Sequence, residues 1–404
     1  KYAVNISQGG TTLSDRDYYL KDDPQSVRVR MAYKTYMVTL FMLIGNTEEL
    51  AKQKANTVFN LEKELAEAQM SRIEMRDPYK TYNKLTLDQF NQTTSAINWK
   101  TYLPKFNINN QDTVLVNSPT FFHSLNNLLT STPIANWRTY LEWNILKNAA
   151  GNLSSPFVKA SFAFTQAQTG QKVQTPRWQR MSSLTDGTIG ELLGQLYVAK
   201  YFKPEAKERM NQMIVNLRKA FEIRINGLEW MSPETKQKAL AKLNAFTPKV
   251  GYPEKWKNYD GLVINKDTYF QNLRNASVWG YNEMVNQLGK PVDRKRFGMT
   301  PPTVNAYYSP TLNEIVLFLF TLIIKLTLPS LVNLNALDNR FFKICSNLIL
   351  SVVIIFGNSS PVTISKANFL SAADSFARFA AMVASSSSGV EGRIAALLDP
   401  LPPK

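Results

Sequence analysis

Pro204-Glu205-Ala206-Lys207-Glu208-Arg209-Met210-Asn211-Gln212-Met213-Ile214-Val215-Asn216-Leu217-Arg218-Lys219-Ala220-Phe221 is the stretch from which the fold class is read. Met210, Met213, Ile214, Leu217 and Phe221 recur at intervals of three and four, which places them on one side of an α-helix, and Pro204 occupies the first turn, where no backbone N–H is needed. Its charges alternate in sign along the other side, as on a solvated helix face.

The same signals recur on both sides of it. Ser232-Pro233-Glu234 supplies a capping hydroxyl, a proline at the first helical position and an acid in the first turn. Asn46, with Glu49 three residues on, predicts a helix start, and Val58, Leu61, Leu65 and Ala68 continue the repeat to about Ser71. Helices also fit Val27 to Ile44, Asn136 to Asn148 and Ile189 to Tyr201. Strands are expected only near the end of this part. Thr303 to Tyr308 and Glu314 to Val316 flank a turn of Ser309, Pro310, Thr311, Leu312 and Asn313, which predicts a hairpin. The fold class is therefore mainly α.

The chain has 404 residues, 44 % of them hydrophobic and 11 % aromatic, enough to bury a core, so disorder throughout is excluded. Its single Cys, Cys345, excludes an internal disulfide, a four-cysteine zinc site and an iron–sulfur cluster. Its single His, His123, excludes a zinc site that takes two imidazoles from one chain. With no Gly-x-Ser-x-Gly turn to accompany it, His123 reads as a packing or surface residue. The net charge of +16 raises the possibility of nucleic-acid binding, but the basic residues are interleaved with acids and the tightest cluster, Arg294-Lys295-Arg296, is short. No nucleic-acid partner is expected.

All seven Trp and all 17 Tyr lie before residue 315, and beyond it charge thins while Leu, Ile, Ser and Phe accumulate. Ile315 to Val332 is long enough to suggest a membrane span, but Lys325 and Pro329 interrupt it, so a span is not expected. Leu348 to Phe356 suits a buried strand, Ser385 to Ser388 a flexible stretch, and Pro400 to Lys404 a frayed end. The sequence opens at Lys1 without a signal-peptide pattern, so either a leader has been removed or the start is missing.

Several stretches taken together resemble the neprilysin and endothelin-converting-enzyme family of zinc metallopeptidases, whose bacterial members include oligopeptidase O. Leu13-Ser14-Asp15-Arg16-Asp17-Tyr18-Tyr19, after Asn5-Ile6-Ser7-Gln8-Gly9-Gly10, resembles the family's L-P-x-R-D-Y-Y, with Ser14 in place of Pro. Tyr82-Asn83-Lys84-Leu85-Thr86-Leu87 resembles Y-N-x-M-T-L. Arg177-Trp178 through Leu196-Tyr197-Val198 resembles R-W-x-x-C…G-x-L-Y-V, with Met181 where many members carry Cys. Leu228-Glu229-Trp230-Met231, Glu234-Thr235-Lys236 and Lys249-Val250-Gly251-Tyr252-Pro253 resemble L-x-W-M-x-x-x-T-K…x-I-G-Y-P. Val304-Asn305-Ala306-Tyr307-Tyr308 with Asn313-Glu314-Ile315-Val316 resembles V-N-A-F/Y-Y…N-x-I-V. Five matches in order, over about three quarters of the chain, carry the resemblance.

The resemblance implies a large helical lid domain over residues 1–300, incomplete at its start, and the first β-hairpin of a thermolysin-like catalytic domain over 301–316. It implies an oligopeptide substrate held between the two domains, and a zinc ion on an H-E-x-x-H helix and a glutamate further along, the motif glutamate activating the zinc-bound water. Asn305 and Ala306 map onto the pair that contacts the substrate's main chain, a role suited to an exposed strand edge with an amide that can both donate and accept. Without the family, the same pair reads as an ordinary edge strand.

No H-E-x-x-H occurs in these 404 residues, and after Val316 the chain runs into Leu317-Phe318-Leu319-Phe320, where the family has Phe-Pro-Ala-Gly and then the zinc helix. Residues 317–404 are therefore expected to be a non-homologous tail arising from a frameshift, a read-through or mis-splicing. Three readings follow. The first is a fragment of a zinc-dependent metalloendopeptidase, inactive as it stands and without zinc ligands of its own. The second is a non-catalytic peptide-binding or structural lid module, and the third a chain anchored by a span from Ile315. An envelope, periplasmic or secreted location is implied by the resemblance, and the lone Cys suits a bacterial member better than disulfide-rich animal ectoenzymes.

Overall fold

The computed structural model of the chain describes residues 2–303 and 305–317. In chain order these are β1 (Asn5–Ile6), α1 (Asp17–Leu20), α2 (Pro24–Leu43), α3 (Glu48–Ala68), α4 (Pro78–Thr81), β2 (Asn83–Thr86), α5 (Leu87–Thr93) and α6 (Trp99–Tyr102). There follow β3 (Thr113–Val116), α7 (Pro119–Ser131), α8 (Ile134–Ala150), α9 (Ser155–Thr169), α10 (Arg177–Tyr201), α11 (Pro204–Asn226) and α12 (Pro233–Asn244). The last are β4 (Thr247–Val250), α13 (Tyr269–Val285), β5 (Ala306–Ser309) and β6 (Glu314–Leu317). The fold is mainly α, as the sequence predicts.

Local chemistry sets the helix ends. Asp23 accepts hydrogen bonds from the N–H groups of Gln25 and Ser26, and Pro24 fills the first helical position of α2. The cap of α3 is Thr47, whose hydroxyl accepts from the Leu50 N–H, and not Asn46. Asn46 instead donates through Nδ2 to the Phe41 carbonyl, 2.8 Å away, satisfying an acceptor at the end of α2. Ser232 caps α12 by accepting from the Thr235 N–H. The helix expected from Ile189 begins twelve residues earlier, at Arg177, but Ile189 itself (φ −126°, ψ 37°) interrupts α10 with a kink beside Gly187 and Gly190.

The described residues form two compact units, one of 2–196 with 254–300 and one of 197–253 with 301–317. The stretch 1–300 therefore contributes to both. In the first unit, α2, α3 and α8 bury Tyr33, Met37, Leu40, Phe41, Val58, Leu65 and Trp143, with the Tyr36 ring edge-on to Trp143 at a centroid distance of 5.5 Å. A small sheet of order β1-β3-β2, parallel then antiparallel, adds Val114 and Val116 to that core. His123 is exposed on α7.

The second unit is a sheet of order β4-β6-β5 packed on α11. Strand β6 lies at its centre, parallel to β4 and antiparallel to β5, in the register Val250↔Leu317↔Ala306 and Thr247↔Glu314↔Ser309. One sheet face presents Val250, Ile315 and Leu317 to Phe202, Ala206, Met210, Ile214, Leu217 and Phe221. The predicted hairpin is thus present, with its first strand at Ala306–Ser309 and not from Thr303 (residue 304 lies outside the described residues), its second one residue longer at its end, and its turn closing through Asn313 in the left-handed region at φ 48°. At Gly251 (φ 71°) a side chain would meet the Phe202 ring 2.7 Å away, so β4 leaves the sheet at a position only glycine fills without strain.

Of the span suggested from Ile315 to Val332, residues 315–317 are strand β6 and the rest lie outside the described residues, as do Leu348 to Phe356, Ser385 to Ser388 and Pro400 to Lys404. Among the described residues no helix is long and apolar enough to cross a membrane.

Candidate functional site

Strand β5 is the edge of its sheet. One side pairs with β6; no strand pairs with the other among the described residues. An antiparallel edge leaves alternate residues with both N–H and C=O turned away from the partner strand, which is the template an extended peptide extends. Ala306 opens β5 and Asn305 precedes it, and both are exposed. The Asn305 side-chain oxygen accepts a hydrogen bond of 2.8 Å from the Ala306 N–H, and the Asn305 N–H donates to the Thr303 carbonyl at 3.1 Å. These two bonds hold the Asn305 side chain at the strand's entrance with its amide nitrogen outside them.

Beneath this edge the sheet is braced on both faces. Tyr308, paired with Ile315, points to the α11 side, where its hydroxyl donates to Asn313 Oδ1 at 2.9 Å; burial holds that phenol above its ordinary value. Asn313 Nδ2 in turn donates to the Lys242 carbonyl at the end of α12, and the Asn313 carbonyl accepts from the Thr247 N–H of β4. On the opposite face Lys249 and Glu314 form an ion pair of 2.6 Å between β4 and β6. Both residues lie in stretches quoted for the resemblance, but their partnership was not foreseen. The available signal was a charge of each sign inside short runs of strand character.

The Leu13–Tyr19 stretch proves to be structural. The Tyr19 hydroxyl accepts from the N–H groups of Thr12 (3.0 Å) and Leu13 (2.9 Å) and donates to Glu62 Oε2 at 2.6 Å. Glu62 is fully buried on α3 and also accepts from Tyr33 (2.8 Å) and Thr12 (2.6 Å). The Thr12 hydroxyl receives Lys147 Nζ at 2.9 Å and Trp143 Nε1 at 3.2 Å, so it relays a positive charge to the carboxylate. Burial raises the Glu62 carboxyl above its ordinary value, against the lowering by its three hydroxyl donors, and burial lowers the Lys147 ammonium. Arg16 and Asp15 tie the same stretch to the end of α3, Arg16 by donating to the Gln69 carbonyl and Asp15 by pairing with Arg72 at 2.7 Å.

Among the described residues the donors do not assemble a catalytic zinc site. The one imidazole is exposed on α7, and among the described residues no three His, Cys, Asp or Glu side chains converge to hold a metal.

The description of peptidase family M13, for its N-terminal part, matches residues 1–253, and the chain belongs to that family. It is 31 % identical over 334 residues to an endothelin-converting enzyme homolog of Locusta migratoria, covering 78 % of this chain and 46 % of that protein. It is 30 % identical over 326 residues to human endothelin-converting enzyme 1, covering 78 % and 42 %. Among solved structures it resembles the Mycobacterium tuberculosis zinc metalloprotease Zmp1 in complex with an inhibitor, at a TM-score of 0.73 and 33 % identity over 78 % of this chain and 48 % of that one. PepO from Lactobacillus rhamnosis shares the fold, with a TM-score of 0.71 and 22 % identity. The chain thus spans less than half the length of these curated relatives.

Proposed function

We propose that this chain is the N-terminal region of a zinc-dependent metalloendopeptidase that hydrolyses oligopeptides, and that β5 is the strand on which the substrate's main chain lies. The observation that supports it is the free edge of β5, entered by exposed Asn305 and Ala306 and braced from behind by β6. The Asn305 amide nitrogen would donate to a carbonyl of the bound peptide while alternate β5 residues supply the ladder.

In this reading residues 1–300 make up the helical lid, with 197–253 also forming the floor under the hairpin; 301–316 begin the catalytic domain, and 317–404 are a frameshift-derived tail. The zinc of the family would then come with the missing H-E-x-x-H segment, and the 404-residue chain would hydrolyse nothing. An envelope, periplasmic or secreted setting follows from the kinship with endothelin-converting enzymes. Reading the other frames of the coding DNA after the Val316 codon tests the tail: Phe-Pro-Ala-Gly followed by H-E-x-x-H is expected there, and its absence from every frame defeats the frameshift. The purified chain should show no chelator-sensitive peptidase activity, whereas a version with the segment restored should cleave oligopeptides.

The single histidine favours a second reading, a non-catalytic peptide-binding or structural module. Calorimetry of the chain with short peptides separates the two roles of that module; no heat at millimolar peptide leaves the structural one.

A further inference from the structure

Where the Leu13–Tyr19 stretch meets the chain leaving α3, the first unit holds an open hollow of about 250 Å³. Arg16, Arg72 and Arg76 all line it, and Asp15 is the one acid in its wall, so the lining carries three positive charges against one negative. Two of the guanidinium groups are held by the main chain. Arg16 donates to the Gln69 carbonyl and, at 3.4 Å, to the Glu67 carbonyl. Arg72 donates through Nη2 to the Ser14 carbonyl at 3.0 Å and pairs through Nε with Asp15 at 2.7 Å. A guanidinium has five N–H donors, so both keep hydrogens beyond these bonds. Gln8 fixes the wall itself: its side chain donates to the Met70 carbonyl at 3.0 Å and accepts from the Met70 N–H at 2.8 Å. Arg76 is exposed, and its side chain has neither hydrogen bond nor ion pair among the described residues. Three cations gathered around one carboxylate repel one another unless an anion sits among them.

We propose that this hollow binds a phosphate group. Arg16 and Arg72 offer guanidinium donors already restrained by their main-chain bonds, so little side-chain freedom is lost when the anion arrives. Arg76, which is committed to nothing else, closes on it from the solvent side. A tetrahedral dianion suits the lining better than a carboxylate does. Its charge answers the excess of two, and its oxygens accept from guanidinium forks in several directions, where a planar carboxylate is satisfied by one. The same chemistry is offered by free inorganic phosphate and by a phosphomonoester such as a lipid headgroup. Met75 also lines the hollow and reports on its occupancy.

The test uses the full chain labelled with 13C at its methionine methyl groups, with the Met75 signal assigned by Met75→Leu. Inorganic phosphate, dihexanoylphosphatidic acid below its micelle concentration, and acetate are titrated separately at neutral pH and constant ionic strength. Phosphate or the phosphatidic acid should shift the Met75 methyl saturably, while the signal of Met37, buried in the core of the same unit, stays fixed. The tighter of the two identifies the source, free ion or headgroup. Acetate should bind at least about tenfold more weakly, for want of one charge-assisted hydrogen bond. Arg76→Gln changes an exposed side chain, so the variant should fold as the parent does and bind the phosphate about tenfold more weakly. Lys80→Gln removes an exposed charge outside the lining, and screening should hold its effect within a factor of about two. An unmoved Met75 signal with both phosphates, equal binding of acetate, an affinity unchanged in Arg76→Gln, or the same loss in Lys80→Gln overturns the proposal.

Discussion

Lys249 of β4 and Glu314 of β6 are held 2.6 Å apart, with their side chains 5 % and 3 % exposed. The pair joins the central strand to one edge of the sheet in a place that water does not reach, so removing either partner takes the opposite charge away from a buried one. Lys249→Met is expected to cost about 3–5 kcal/mol in denaturant unfolding, and Glu314→Gln a similar amount. The double variant should recover much of the loss, because hydrophobic or neutral groups of matching volume replace a buried pair at little net cost. A double variant whose loss equals the sum of the two single losses would show that the pair has no specific coupling.

Glu62 sets a pH dependence of the opposite sign to that of a paired surface carboxylate. Its folded-state value is raised by burial above the ordinary 4.5, so over the interval above 4.5 the native state binds more protons than the unfolded chain. Its contribution to stability is therefore fully present below that value and is lost as pH rises through the raised one. Glu62→Gln, which keeps the shape and removes the titration, should flatten this part of the stability profile; chemical denaturation at a series of pH values measures it. An unchanged slope would place the titration elsewhere.

Gly251 and Gly261 both have positive φ, 71° and 79°, but only Gly251 faces a ring, at 2.7 Å, while nothing lies within 4 Å of the other. Gly251→Ala is expected to cost more than the roughly 1–3 kcal/mol of backbone strain alone, and Gly261→Ala to stay within it. Thermal unfolding of the two variants gives the comparison directly.

Ser232→Ala should lower stability by about 1 kcal/mol through loss of the bond to the Thr235 N–H, while Asn46→Ala should act through the end of α2 and leave the start of α3 intact. Amide exchange at the first turn of α3 reports the difference: protection retained in Asn46→Ala and lost in Thr47→Ala.

On the proposed substrate strand, Asn305→Ala should weaken peptide binding by about tenfold, one hydrogen bond's worth. Calorimetry against an unstructured peptide measures this, with Tyr79→Ala, exposed in the other unit, as the control.

Helix legibility in this chain tracks how strongly one face is committed. The faces of α3 and α11 are buried along their whole length, so Leu61, Leu65, Met210 and Leu217 announce them. By contrast α9 buries no residue fully and α13 only Ala276, and neither helix carries a stripe that a period-based reading could detect. Strands of two to four residues, such as β1 and β4, are too short to show alternation, and Pro248 inside β4 argues against a strand unless the strand is an edge, which it is. Glu62 sits among Val58, Leu61 and Leu65 on the apolar face, and that placement alone marks it as a buried acid in need of donors. Asn305 and Ala306 came from resemblance and not from any local pattern, because an edge strand's free side is a property of the whole sheet.

The central position of β6 has a consequence for synthesis. β4 emerges from the ribosome first, β5 only after residues 251–305 have followed, and neither has a neighbour to pair with until Glu314 to Leu317 arrive between them. Until then the apolar side of α11 has no strands to cover it. The seam of this unit closes last, at four residues, and a nascent chain halted anywhere short of them would present Phe202, Met210 and Leu217 to whatever chaperone or sister chain is nearest.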